Sequence, residues 1–181
     1  MVVELGQVAL LLAFLSAAYV VVASVLGVAR RTPELVVSGR YGFYSVPVLL
    51  LLATAALVYA FVTNDFSVRY VAENSNLAMP KAYTWVALYA GNSGSLLFLA
   101  LVLSVMMALA VLTIRRRLPY TAPYATVLMA LFLAFFLGVM LFLANPLERL
   151  PITPADGQGI NPLLVHFGMF IHPPMQMAGL V

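Results

Sequence analysis

Four long apolar stretches, separated by short polar segments, dominate the pattern of this chain. They cover approximately residues 5–29, 41–62, 84–114 and 121–144. An α-helix of about 20 apolar residues crosses the roughly 30 Å hydrocarbon layer of a bilayer, and each stretch is at least that long. The pattern therefore predicts an all-α fold, a polytopic membrane helical bundle with four complete spanning helices in residues 1–144.

The third apolar stretch contains a run of small polar residues, Gly91-Asn-Ser-Gly-Ser95. Such residues are tolerated at membrane depth where they face protein or water instead of lipid. Two interpretations stay open. Either a helix is interrupted here, near the outer interface, or a helix simply begins here.

The remaining residues, 145–181, have a different pattern. A turn-rich connector leads to Asn161-Pro162, which is a good signal for a helix N-terminus. Leu163, His166, Phe167 and Phe170 then follow at i, i+3, i+4 and i+7, the spacing of one helical face, which predicts a short helix lying in the interface. The stretch 174–181 resembles the start of a fifth spanning helix. Because a truncated span would leave backbone groups unsatisfied in lipid, we expect the chain to be the N-terminal portion of a longer protein.

Composition supports the membrane assignment. Hydrophobic residues make up 64% of the chain and charged residues 8%, far from the balance of a soluble domain. The net charge is +3, but the basic residues lie in loops beside apolar stretches, which fits contact with lipid headgroups and not with nucleic acid. The absence of cysteine excludes disulfides, thiolate metal sites and cysteine nucleophiles.

The distribution of basic residues predicts the orientation in the membrane. The first and third connections hold Arg30, Arg31, Arg40, Arg115, Arg116 and Arg117. The opposite side holds Arg69, Lys81 and Arg149. The positive-inside rule then places the two arginine-rich connections in the cytoplasm, and the N-terminus and the segment around His172 outside. In a bacterium this means an inner-membrane protein with His172 on the periplasmic face.

Candidate chemistry is confined to the two histidines. The carboxylates are scattered through loops and termini without a pair suited to acid/base catalysis. His172 directly precedes two prolines, so it should hold its imidazole at the rim of a helix start, where the dipole favours the neutral, ligating form. A histidine in an ordinary interfacial turn is the alternative for His172, and a packing role is the simpler interpretation of His166.

Three methionines, Met169, Met175 and Met177, stand near His172. Imidazole with thioether groups would suit a copper(I) site, whereas His and Met are also common axial ligands of haem iron. Methionine in an apolar chain is more often core filler. For haem, Arg69, Lys81 and Arg149 on the same side could meet the propionates.

Several stretches, in order along the whole chain, resemble the CcmF/CcsA family of haem-handling proteins, which includes the Ccm-type cytochrome c haem lyase. They are Glu4-Leu-Gly-Gln-Val-Ala-Leu, Asp65-Phe-Ser-Val-Arg-Tyr-Val-Ala, Asn74-Ser-Asn, Gly94-Ser-Leu-Leu, Asn145-Pro-Leu-Glu-Arg, Pro154-Ala-Asp-Gly, Asn161-Pro-Leu-Leu and Ile171-His-Pro-Pro-Met. Each match is weak alone, and their order makes the set specific.

The resemblance implies that His172 is an external axial ligand of haem b. It also implies a haem chaperone, CcmE, as haem donor, apocytochrome-delivering proteins of the CcmH type as partners, and apocytochrome c carrying thioether-bound haem as the product. The chain departs from the family at Asn92-Ser93, where a His or Gln followed by Glu is usual, and at His166-Phe167, where Asp-Pro is common. The family's tryptophan-rich segment is missing, since Trp85 is the only Trp.

We therefore expect a haem-binding membrane subunit of a cytochrome c haem lyase, with His172 as its ligand and with the other parts of the site outside this chain. A non-catalytic membrane scaffold or transporter subunit is the alternative, since the four predicted spans contain no Asp, Glu, Lys, Arg or His. A copper-handling membrane protein is a third possibility.

Overall fold

The computed structural model describes residues 1–180, except for the side chains of Leu163 and Leu180. The helices are α1 (Val2–Ala29), α2 (Pro33–Val62), α3 (Arg69–Asn74), α4 (Thr84–Leu88), α5 (Asn92–Arg117), α6 (Ala122–Phe142) and α7 (His172–Leu180). Four of them, α1, α2, α5 and α6, are long and apolar enough to cross a membrane. The all-α fold is therefore confirmed. Val181, the last residue of the predicted fifth helix, lies outside the described residues.

The four long helices alternate in direction and form one bundle, in which α1 packs on α2 and α6, and α5 packs on the same two helices. We call the end at which α1 begins the histidine end, because the segment before α7 packs there, and the other end the arginine end. The arginine end contains Arg30, Arg31, Arg40, Arg115, Arg116 and Arg117.

Small residues allow α1 and α2 to approach closely. A Cβ atom added to Gly6 would lie 2.6 Å from the Cβ atom of Ala56, and one added to Gly39 would lie 2.7 Å from the Ser24 hydroxyl. In lipid no hydrophobic force draws apolar helices together, so close backbone packing of this kind is a main source of their association. The α1–α2 pair thus forms the most extensive helix contact of the bundle.

The start of α2 differs from the predicted span 41–62. The helix begins at Pro33 and includes Ser38-Gly39-Arg40, which the hydropathy pattern assigns to a loop. Pro33 occupies the first helical turn, where a missing N–H costs nothing, and Glu34 suits the helix dipole. Gly39 is buried against α1, so it serves helix packing and not a turn. Arg40 consequently lies within a long helix.

The third predicted span is interrupted. The short helix α4 ends at Leu88, and α5 begins at Asn92, so Asn92–Ser95 form the first turn of the long helix. The interpretation of an interrupted helix and the interpretation of a helix start therefore each describe a part of this region. The break lies at Tyr89–Gly91, and the small polar residues that follow it start α5.

Residues 143–171 form the connection over the histidine end. The structure has two 3-10 turns there, Pro162–Leu164 and Phe167–Phe170, in place of the single short helix predicted. His166 separates the turns in an extended conformation and accepts a hydrogen bond from the Gly168 N–H group. That local bond, together with the low helix propensity of Gly168, competes with a continuous helix.

Candidate functional site

Two connections pack together at the histidine end and form a platform, which we define as residues 65–75 and 145–159. The Arg69 N–H donates to the Glu148 carbonyl at 2.9 Å, and the Leu150 N–H donates to the Ser67 carbonyl at 2.8 Å. A β-bridge joins Val68 and Arg149 between these bonds. Segments far apart in sequence are thereby held in one fixed register.

The platform is anchored to α1 through Leu147. This side chain is fully buried, and a Cβ atom added to Gly6 would lie 2.9 Å from its Cδ1 atom. The Gln7 amide nitrogen donates to the Leu147 carbonyl at 2.6 Å. Asn145 holds the turn by accepting from the Leu147 N–H at 2.9 Å. The stretch Asn145-Pro-Leu-Glu-Arg, identified above by resemblance, thus has a structural reason for its composition.

Tyr70 connects the platform to the break between α4 and α5. Its hydroxyl lies 3.2 Å from the carbonyl oxygens of Ala87, Leu88 and Gly91, and it accepts the Gly91 N–H at 2.9 Å. Burial raises the pKa of Tyr70 to about 12. A Cβ atom on Gly94 would collide with this hydroxyl and with the Leu88 carbonyl, so only glycine fits there. Composition and spacing gave no signal for this contact, although Tyr70 and Gly94 both lie in stretches that resemble the family.

The segment that leads to His172 is held by aromatic side chains. The Tyr89 hydroxyl donates to the Met169 carbonyl at 2.9 Å. The ring of Phe170 packs on Tyr83 at a centroid distance of 5.3 Å and on Phe167 at 6.2 Å. The helix break therefore supports both the platform and the chain immediately before α7.

The two histidines have different environments. His166 is exposed, and its Nδ1 atom accepts the Gly168 N–H at 3.0 Å. In the neutral imidazole the proton then lies on Nε2, so neither nitrogen offers a free lone pair to a metal. His172 is exposed as the first residue of α7, and within residues 1–180 its imidazole makes no hydrogen bond or ion pair. Of the two, only His172 has a free nitrogen for a ligand.

Most of the charge at this end is neutralised within the chain. Arg69 contacts the Glu73 carboxylate at 3.0 Å and Glu148 at 3.4 Å, and Arg149 contacts Glu4 at 3.4 Å. The hydrogen bond and charge of Glu73, followed by those of Glu148, raise the pKa of Arg69. Of the three basic residues expected to meet propionates, Lys81 is the one without an ion pair in the described part of the chain.

A polar cleft of about 330 Å³ opens beside the platform. It is lined by Arg69, Tyr70, Glu73, Asn92, Ser93, Leu143, Ala144, Asn145 and Glu148. Asn92 and Ser93 are the positions at which the chain departs from the family pattern. They face the charged side chains of the platform, a proximity that the sequence did not indicate.

The methionines near His172 do not stand together in a common environment. Met169 and Met177 pack against the hydrophobic core, whereas Met175 is 69% exposed. Among residues 1–180, no group of three or more His, Cys, Asp or Glu side chains is arranged to hold a metal ion.

Comparisons with known proteins agree over the whole chain. The cytochrome c-type biogenesis protein CcmF of Pseudomonas fluorescens is 40% identical over 189 residues, which cover 98% of this chain and 27% of that protein. CcmF of Escherichia coli is 36% identical over 183 residues, covering all of this chain and 28% of that protein. CycK of Rhizobium meliloti is 35% identical over 182 residues, with 100% and 27% coverage. No family model matches.

The fold also has a counterpart among solved structures. A chain described as cytochrome c haem lyase CcmF superposes with a TM-score of 0.81 at 24% identity and covers 98% of this chain. The present chain corresponds to 28% of that one. It thus spans little more than a quarter of the length of the proteins that it resembles.

Proposed function

Because this chain is a homologue of the CcmF-type cytochrome c biogenesis proteins over its whole length, we propose that it acts as the haem-handling membrane portion of a cytochrome c haem lyase. In this proposal His172 is an axial ligand that receives haem b on the external face of the membrane. The complete activity belongs to a longer protein, since the relatives are more than three times as long as the chain.

The free imidazole of His172 is the observation that carries this proposal. A neutral imidazole is a common ligand of haem iron. His172 is exposed and unpaired, whereas the Nδ1 atom of His166 is already engaged. The aromatic rings of Tyr83, Phe167 and Phe170 precede it and offer an apolar surface of the kind that a porphyrin face prefers.

The role of the protein would be to hold haem while its vinyl groups react with cysteine thiols of apocytochrome c. The chain itself would contribute binding and orientation through His172, and Lys81, with no ion pair among residues 1–180, could accept a propionate. We propose the haem chaperone CcmE as donor and CcmH-type proteins as carriers of apocytochrome c. No nucleic acid partner is proposed.

The proposed location is the bacterial inner membrane, with the histidine end in the periplasm. Support comes from the charge distribution: six arginines lie at the arginine end, against two arginines and one lysine at the histidine end. The positive-inside rule assigns the end richer in arginine to the cytoplasm.

The test uses the full-length protein that carries this chain, with His172→Ala compared with His166→Ala. We expect His172→Ala to lose most of the haem that co-purifies and to lower cytochrome c maturation, because the ligand is gone. Added imidazole should restore part of the haem absorption band. His166→Ala should leave both quantities close to those of the wild type.

Normal haem content and maturation in His172→Ala would contradict the proposal. A wild-type protein that lacks any haem band would favour the scaffold or transporter alternative, and bound copper in its place would favour the copper-handling one.

A further inference from the structure

A second site lies at the arginine end of the bundle, away from His172. A cleft of about 80 Å³ lies where α2, α5 and α6 meet α1. Its lining residues are Ser24, Val36, Arg40, Val111, Arg115, Pro119, Ala122, Pro123 and Thr126. Two arginines thus face one small cleft, which has room for a group the size of phosphate and is far smaller than the several hundred Å³ of typical pockets for drug-sized ligands.

Of the two arginines, Arg40 has a nitrogen atom without a hydrogen-bond partner in the described part of the protein. The Nε atom of Arg40 is buried and has no hydrogen-bond partner. Within the described chain, the one other buried side-chain atom in this condition is the Tyr44 hydroxyl oxygen, one turn further along α2. Buried polar groups are almost always paired, and a charged one has the strongest need of a partner. An acceptor from outside the chain is therefore expected.

The charge at this end is also unbalanced. All four ion pairs among residues 1–180 lie at the histidine end, and none involves the six arginines of the arginine end. Glu34 is the single side-chain carboxylate at this end. The acceptor for Arg40 and Arg115 should thus be an anion.

An apolar groove of about 460 Å³ continues from the cleft between α1 and α6. It shares Ser24 and Pro123 with the cleft, and its other lining residues are Val25, Val28, Ala29, Tyr124, Val127 and Leu128. A cleft lined by two arginines and joined to an apolar groove matches a molecule with an anionic head and an acyl chain.

We propose that this site binds one anionic phospholipid, with its phosphate on Arg40 and Arg115 and an acyl chain in the α1–α6 groove. Arginine recognises phosphate through paired hydrogen bonds, and basic pockets between spanning helices are suited to lipid headgroups. The inference does not rest on the haem-lyase function. It agrees with the orientation proposed above, because anionic lipid at the cytoplasmic surface attracts basic residues.

The experiment is native mass spectrometry of the full-length protein in mixed micelles, titrated with phosphatidylglycerol or with phosphatidylcholine. The wild type should retain phosphatidylglycerol preferentially. Arg40→Gln combined with Arg115→Gln should weaken that binding by about tenfold or more, since two charge-assisted contacts are lost. Arg116→Gln is the matched control, because it removes an adjacent, exposed charge that does not line the cleft.

A second variant keeps the test independent of the arginines. Val127→Trp should fill the groove and weaken phosphatidylglycerol binding with both arginines intact. The proposal would be overturned if the two lipids bound equally well, or if Arg116→Gln weakened phosphatidylglycerol binding as much as the Arg40 and Arg115 substitutions did. Either result would show a general attraction to basic charge and not a specific site. Competition by millimolar inorganic phosphate, with no effect of Val127→Trp, would show a free-phosphate site and overturn the assignment to lipid.

Discussion

Replacing Tyr70 with phenylalanine would remove the hydroxyl that ties the platform to the helix break. The ring would stay in place, but the Gly91 N–H would lose its acceptor, and the carbonyl cluster of Ala87, Leu88 and Gly91 would lose the one hydroxyl proton that it shares. Leaving such buried groups unpaired costs about 1–3 kcal/mol. We therefore expect Tyr70→Phe to lower the free energy of unfolding by that amount at neutral pH.

Alkaline pH provides a second, independent signature of the same contact. Burial raises the pKa of Tyr70 from 10.0 to about 12, so the folded state retains a proton that the unfolded state releases. The stabilisation is complete below pH 10 and is lost as the pH rises through about 12. A pKa difference of two between the folded and unfolded states corresponds to about 3 kcal/mol of folding free energy. The wild type should lose roughly this much stability over the interval, and Tyr70→Phe should lack that component.

The assay is thermal unfolding of the 181-residue chain in detergent micelles, followed by the fluorescence of Trp85. This is the only tryptophan, and it lies in α4 beside the Tyr70 contact. Tyr120→Phe is the matched control, because Tyr120 is 91% exposed. Equal midpoints for the two variants at pH 7, or an equal fall in stability between pH 10 and 12, would refute the role of the buried hydroxyl.

Two further substitutions test contacts that hold the candidate site and the bundle. Tyr89→Phe deletes the hydrogen bond to the Met169 carbonyl, so amide exchange in residues 162–171 should become roughly fivefold faster by mass spectrometry, and unchanged exchange would contradict this. Gly39→Val would place a Cβ atom 2.7 Å from the Ser24 hydroxyl and should lower the free energy of unfolding by about 1–3 kcal/mol in detergent. Gly179→Val is the control and should cost less, because a Cβ atom there would have nothing within 4 Å. Equal losses in the two variants would show that helix contact is unimportant at Gly39.

Hydropathy was sufficient to predict the four long helices, because a segment that crosses the hydrocarbon layer needs about 20 apolar residues and must satisfy its backbone hydrogen bonds internally. It was not sufficient for the start of α2. Ser38-Gly39-Arg40 has the composition of a turn, and only the close approach of α1 shows that Gly39 belongs to a packed helix. Helix contact depends on which residues of two segments meet, and a single hydropathy profile contains no such information.

In the candidate site, too, the sequence predicted some features and could not predict others. The proline pair after His172 predicted a helix start at Pro174, and α7 begins two residues earlier, at His172. The spacing of Leu163, His166, Phe167 and Phe170 predicted one helix, whereas the structure has two 3-10 turns, and His166 accepts a hydrogen bond from the Gly168 N–H group. The sequence could not single out Tyr70. Its role depends on a cluster of backbone carbonyl groups at the break between α4 and α5.

The two ends of the bundle satisfy their charges in different ways, and this difference connects both proposals. At the histidine end, Arg69 and Arg149 find carboxylates within the chain, so their charges fix the platform and draw little from the surroundings. At the arginine end, Arg40 has no such partner, and its buried Nε atom requires an acceptor that the described chain does not supply. A protein arranged in this way would be held in one orientation by anionic lipid at one face, while the opposite face would keep His172 free for a ligand that arrives from solution or from a partner.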